Sequence, residues 1–373
     1  LTFYLLGYLI IFYIAALRLF ALRNDLPLTL ALYILIGIVG GIRFETGMDW
    51  PQYADYFDSI SIEQTPIESY LSNNYKLAFE FGYFILNYFI KLLGGSISFV
   101  FLIASLFCAL CTYLLSSTFT GNRIFIFTIY VSYNFIYMHF STVRQSIAAG
   151  LFFLGLWAYL KLSNNKLMLL LFALSACFQI SSLLYIFIFF CSFLFRNIYR
   201  CIFFWTLGTS LLFASIHMGS SLYKLLSSVL PTPFASKLME YETWDYTLSI
   251  RTYLFGLYIA GCALNLGWLA AKKKKHNVDG IVQGKEEFAL KIATTSLMLS
   301  ATLILLFPNN FALWTRVFNV ASVLFACALS TFYYSTPKKY KLIFIAHTVV
   351  AAISFVASLY AAQEAMVPYK TVW

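Results

Sequence analysis

The chain of 373 residues is 61% hydrophobic and 20% aromatic, has only 11% charged residues, and carries a formal net charge of +10. A soluble domain is about half apolar and a quarter charged, so this composition excludes one. Apolar runs of about 20 residues recur from end to end without alternating, the pattern of membrane-spanning helices and not of a transmembrane barrel. Many of the cations sit in short loops between those runs, chiefly at residues 272–275 and at Lys338, Lys339 and Lys341. Such loops face the cytoplasm, with anionic lipid headgroups as a secondary partner; they do not indicate nucleic acid.

Taken in order, residues 2–22 form a first span that ends near Arg18 and Arg23, so that end is cytoplasmic and the amino terminus lies outside. Residues 28–42 form a short second span, with Gly37, Gly40 and Gly41 allowing close helix contact. The first long outer loop, residues 43–75, follows. Ser61, Glu63, Gln64, Pro66 and Glu68 in it predict short interfacial helices. Residues 76–93 read as a third span, with Glu80 in its first turns at the water interface or facing a polar cavity. Residues 97–119 read as a fourth. If residues 124–140 crossed as well, the sidedness of every later loop would invert. Their polar content (Tyr130, Ser132, Tyr133, Asn134, Tyr137, His139) instead predicts a re-entrant segment. The next span starts at Arg144 and Gln145 on the outer side. The apolar run 167–195 is too long for one helix and should break at Gln179, Ser181 and Ser182. A span at 201–218, a second outer loop at 219–250 and a span opened by Arg251 come next. The cytoplasmic loop 272–288 precedes a span at 288–307, a tight outer loop with Arg316 just inside the following helix, and a last span at 342–362. The expectation is a single all-α polytopic membrane domain over residues 1–373, with about twelve crossings plus the re-entrant segment. No internal repeat is visible, which argues against a repeat-built transporter.

Polar chemistry concentrates between Arg43 and Phe57, where Glu45, Asp49, Asp55, Trp50, Tyr53 and Tyr56 also fall. Four arginines, Arg43, Arg144, Arg251 and Arg316, occupy outer span ends. An arginine there either snorkels to the interface or serves a site. Several on one face suit a phosphate-bearing ligand embedded in the membrane, because guanidinium binds phosphate through two parallel hydrogen bonds. Gln145 and His139 accompany Arg144. Asp49 is the carboxylate nearest a cation and aromatic rings, and a general base must reach a hydroxyl proton. Trp50 and Tyr53 offer a flat apolar face and a polar edge for a pyranose. Together these residues outline an outward pocket for a lipid-linked, phosphorylated sugar. Glycine-rich phosphate loops and H-E-x-x-H are absent, and the histidines at 139, 217, 276 and 347 are scattered, so neither cofactor nor metal is expected. The seven cysteines lie in or beside apolar runs, and Cys108 with Cys111 reads as packing.

Arg43-x5-Asp49 with Tyr53 beyond it, FEFGYFILNYF at 79–89, VRQSIAAGLF at 143–152 and CFQISSLLYI at 177–186 resemble, in order and spacing, the EpsG-like branch of the Wzy-type polysaccharide polymerases. The carboxy-terminal half matches only in layout, through Arg316 after an outer loop and Pro368-Tyr369 near the end. Two departures stand out: Gln179 occupies a position where relatives have His, and Glu45 adds an acid ahead of Gly47-Met48-Asp49. The resemblance implies a GT-C-like, metal-independent glycosyltransferase in the bacterial inner membrane with its site facing outward. Its donor would be a glycan on undecaprenyl pyrophosphate, attacked by a sugar hydroxyl of a fresh lipid-linked repeat unit. It further implies Arg144 and Arg316, then Arg43 and Arg251, on the pyrophosphate. Asp49 would be the base, with Glu45 and Glu80 as rivals, and Trp50, Tyr53, Gln145 and Gln179 would line the sugar. A chain-length regulator protein is an implied partner. The competing readings are a flippase for the same lipid-linked glycan, which needs polarity reachable from both faces, and a related glycan ligase or acyltransferase. An acetyl transferase should show a His-based site, and Gln179 stands at the suggestive position.

Overall fold

A computed structural model describes residues 26–75, 79–119, 121–194, 250–276, 284–306, 311–332 and 342–366, together with residues 4, 7, 8, 10, 200, 202, 203, 205–209 and 371. Local signals place many of the helix ends. Leu26–Gly41 (α1) and Trp50–Asp58 (α2) each hold a proline in the first turn, where a missing N–H leaves no bond unmade. Pro66–Ser72 (α3) opens on a capping box in which the Glu68 N–H donates to the Thr65 hydroxyl and the Thr65 N–H donates to Glu68 Oε2. This is the short loop helix predicted for the 61–68 stretch, with Thr65 as its cap; the Thr65 hydrogen bonds hold the Glu68 carboxyl below its ordinary range. Phe81–Leu92 (α4), Ile97–Ser116 (α5) and Arg123–Asn134 (α6) follow, α6 continuing as a π-helical segment, Phe135–Ser141. Val143–Trp157 (α7) leads through a second π segment to Asn165–Phe178 (α8). The expected break in the long apolar run falls at Gln179, whose backbone is extended (φ −155°, ψ 114°), before a 3-10 turn and Leu183–Leu194 (α9). Ile250–His276 (α10), Gly284–Leu306 (α11), Phe311–Ser330 (α12), Leu342–Ala361 (α13) and Gln363–Met366 (α14) complete the described helices.

Among the described residues the chain is helical, and six segments are long and apolar enough to cross a membrane: Ile97–Ser116, Arg123–Ser141, Val143–Leu162, Thr252–Ala270, Glu287–Leu306 and Leu342–Ala361. The expected spans at 2–22 and 201–218 and the second outer loop lie largely outside the described residues, as does residues 277–283 of the cytoplasmic loop. The chain divides into two compact units, Leu1–Ile186 with Leu329–Trp373, and Phe187–Ala328. In the second, α10 packs on α11, with Gly256 against Ile304.

In the first unit α1 and α5 run antiparallel at backbone contact. A Cβ on Gly41 would stand 2.5 Å from the Leu102 Cα, and one on Gly37 3.0 Å from the Leu106 Cα, so the small residues are what let these helices meet. On the other face of the unit, α7 packs on α5 and α8 packs antiparallel on α7, where the Ser175 hydroxyl donates to the Ala148 carbonyl at 2.7 Å. α13 packs along α6.

Two sequence expectations are corrected by this packing. Residues 76–93 do not form a span. The 12 residues of α4 reach only about 18 Å, against a hydrocarbon core of about 30 Å. Glu80, at its start, meets Arg144 at the start of α7; Lys91, near its end, donates to the carbonyls of Phe57, Asp58 and Ile60 at 2.9, 2.8 and 2.8 Å. Both ends therefore sit at the end of the helices where Arg43 emerges. Phe81, Phe89, Leu92 and Leu93 remain exposed along α4, as befits a helix lying in the interface. The second correction concerns residues 124–140, which do not turn back. Arg123–Ser141 is continuously helical and almost wholly enclosed by protein. Three of the polar groups that suggested a water-lined turn have partners inside: Ser132 meets the Tyr8 hydroxyl at 2.6 Å, and His139 meets Ser105 at 2.6 Å and Tyr130 at 2.7 Å.

The two corrections cancel. One crossing is lost and one gained, and Arg123, Lys161 and Lys166 fall at the end opposite Arg43, as the bias of cations toward the cytoplasm requires. Single cysteines at Ser117 and Asn164 will therefore react with an impermeant maleimide from one side, and a cysteine at Gly94 from the other. Reaction of residues 117 and 164 from opposite sides would restore the re-entrant arrangement. Gly41→Leu will destabilise the α1–α5 contact by about 1–3 kcal/mol, read as a lower melting temperature in detergent.

Candidate functional site

Arg144 is the second residue of α7, directly after the π segment of α6. Its Nη1 donates to Glu80 Oε2 at 2.6 Å. The other carboxylate oxygen accepts the Ile180 N–H at 3.1 Å. Phe79 lies under the guanidinium, its ring centroid 4.5 Å from Cζ, and Tyr53 of α2 hydrogen-bonds to the same side chain. Side chains from α2, α7 and the start of α4 thus converge with the α8–α9 break on one cation. The Arg144 and Glu80 side chains keep 18% and 14% of their exposure. That is buried enough to strengthen the pair over one in bulk water, and open enough for a ligand to reach it.

The ground beneath this pair is aromatic. Tyr56 stacks on Phe79 at 3.9 Å, and Tyr53 sets its edges against Phe79, Tyr83 and Phe101. With only 4% of its surface exposed, the Tyr53 ring has no face open for a sugar; its hydroxyl serves Arg144 instead. Burial pushes the Tyr53 and Tyr56 hydroxyls up, so both stay neutral.

Arg43 is also displaced from its expected role. It is fully buried, its Nη1 donates to the Thr46 carbonyl at 3.1 Å, and the rings of Phe101 (4.4 Å) and Phe140 (5.5 Å) face its guanidinium. Burial lowers its pKa to about 10, opposed by Tyr53 and Asp49, which leaves it a cation at neutral pH. A group enclosed in this way braces the loop and is not presented to a diphosphate. Gly47 closes over it: the backbone there has φ +114°, and a Cβ would collide with the Phe140 carbonyl and with Arg43 itself. The carboxy-terminal tail is tied to the same turn by the Gly47 N–H to the Ala365 carbonyl at 2.8 Å and by an antiparallel bridge between Arg43 and Thr371. Loop and tail enclose an open pocket of about 450 Å³ lined by Glu45, Met48, Trp50 and Glu364 among others. Trp50 is further held edge-on by Phe44.

The remaining expected residues scatter. Asp49 is half-buried at the start of α2, within electrostatic reach of Arg43. Gln145 points into the interior, where its Nε2 donates to the buried Tyr185 hydroxyl at 3.0 Å, so it binds helix to helix. Gln179 is buried at the break beside Ile180. Arg316 is half-buried on α12, in the second unit, and Arg251 lies in the first turn of α10 with its side chain outside the description. Among the described residues no three His, Cys, Asp or Glu side chains gather to hold a metal. Sequence reasoning missed the Ile180 N–H, Phe79 and Lys91. Lys91 carries the one available signal, a cation inside an otherwise apolar run.

The helices define a multi-pass membrane protein, and in the first unit a partly open arginine–carboxylate pair stands at one end of them. The model of the EpsG family matches residues 26–371, nearly the whole chain. The chain belongs to that family, a family of Wzy-like polysaccharide polymerases, and is thereby a glycosyltransferase-like enzyme of polysaccharide biosynthesis. No curated protein and no solved structure matches it.

Lys91→Ala removes three charge-assisted hydrogen bonds that seat the end of α2 on α4. It will cost about 1.5–3 kcal/mol in unfolding free energy, measured by denaturant titration in detergent, and an unchanged midpoint would show that the three bonds contribute nothing.

Proposed function

We propose that the protein polymerises oligosaccharide repeat units carried on undecaprenyl pyrophosphate, at the outer face of the bacterial inner membrane. The observation that carries this reading is the Arg144–Glu80 pair, partly open, at the end of the first unit's helices opposite Arg123, Lys161 and Lys166, in a chain of the EpsG family. A sugar hydroxyl of the incoming unit attacks the anomeric carbon of the donor glycan. The bond from that carbon to the diphosphate oxygen breaks, and undecaprenyl pyrophosphate leaves with the electron pair. Arg144 meets the charge that develops on the leaving oxygen, and a guanidinium is suited to hold it through two parallel hydrogen bonds. Trp50, beside the open pocket with Glu45, is the proposed sugar platform, and Asp49 and Glu80 are the candidate bases. Transfer is favoured over transport because the partly open Arg144–Glu80 pair and the pocket beside Trp50 both lie at one end of the first unit's helices, whereas a flippase needs such groups reachable from both.

Purified protein incubated with the native lipid-linked repeat unit will build a ladder of longer glycans. Arg144→Ala will slow that ladder by about 100- to 1,000-fold while the protein still folds, and Arg144→Lys, which keeps the charge but loses the planar fork, will fall between. A wild-type protein that builds no ladder from a verified substrate overturns the proposal.

A further inference from the structure

The carboxylate of Glu80 is held by two donors of different kinds. Each of its oxygens takes one donor, the Arg144 guanidinium on one side and the Ile180 N–H on the other. A guanidinium and a backbone N–H are the donor types that hold phosphate oxygens. Glu80 stands at the N-cap of α4 yet makes no capping bond to its own helix, so its side chain is committed wholly to this seat. With 18% and 14% of their exposure kept, the two side chains leave the seat open enough for an incoming anion to compete for its donors.

We propose that Glu80 is a built-in occupant of the diphosphate seat, and that arrival of the polyprenyl diphosphate displaces it and frees it to act as the base. This rests on the transfer reading above and assigns a sequence of events to it. The donor's diphosphate takes Arg144 Nη1 and the Ile180 N–H. The displaced carboxylate, no longer engaged by either donor, accepts the proton of the attacking sugar hydroxyl as its oxygen bonds to the anomeric carbon. The electron pair of the broken bond goes to the diphosphate. Proton transfer is thereby coupled to donor binding, so an acceptor hydroxyl is not activated at a site that lacks a donor.

The alternative role for Glu80, holding Arg144 in place for the ligand, makes the opposite prediction for affinity. Binding of geranylgeranyl diphosphate to the purified full chain is therefore measured for wild type, Glu80→Gln, Glu80→Ala and Arg144→Ala, alongside the glycan ladder. Both Glu80 variants will bind the diphosphate about fivefold more tightly and polymerise about 100-fold more slowly. Weaker or unchanged binding in both variants overturns the exchange and leaves Glu80 a positioning residue. Tighter binding with an undiminished ladder overturns its part as base. If Arg144→Ala binds the diphosphate as well as wild type does, it is the transfer reading itself that fails.

Discussion

A charge withdrawn from water has to be paired, and in this protein that requirement falls on Arg144. Its guanidinium stands at the start of α7 among the rings of Phe79 and Tyr53, where an unpaired cation would be costly. Glu80 answers it, and Glu80 is itself tied to the backbone at Ile180. The pair thus fixes the start of α4 against α7 and against the α8–α9 break. Lys91 fixes the other end of α4 against the last carbonyls of α2. Pinned at both ends to one end of the helices, α4 has no freedom to cross a membrane. The interfacial layer of α2, α3 and α4 follows from those two cations.

Arginines that look alike in the sequence have been given different work. Arg43 is sealed, braced by Thr46, by two aromatic faces and by the charge of Asp49, and it organises the turn on which the carboxy-terminal tail is hung. Arg144 is left partly open. Burial separates the structural cation from the one able to take a ligand, since both have a carboxylate nearby. Gly47 enforces the separation, because a side chain there would have no room between Arg43 and the Phe140 carbonyl.

The features legible in the sequence are those whose causes are local. The glycines of α1 announced a close helix contact, and α5 supplies it at Leu102 and Leu106. The break at Gln179 was visible because polar residues interrupt an apolar run longer than one helix needs. Membership of the EpsG family was carried by short ordered segments around Arg43, Glu80, Arg144 and Gln179. The misreadings share one cause, partners far away along the chain. Residues 81–92 are apolar enough for a span, and only the contacts of Glu80 and Lys91 show that they lie flat. The polar residues of 124–140 look wet until Tyr8 and Ser105 are brought against them. Gln145 looks like a ligand-facing neighbour of Arg144 until Tyr185 takes its amide.

Composition and periodicity by themselves determined that this is a helical, multi-pass membrane protein, because hydrophobic length is a property of the chain alone. They also placed Arg144 and Glu80 among the candidates, because ionisable groups beside apolar runs are rare enough to be noticed. Only the tertiary structure decided which helices can cross, which arginine is open, and that Glu80 answers Arg144. Those outcomes depend on which buried charge finds its partner, and the partners lie 64 residues apart in the ion pair and 100 at the Ile180 N–H.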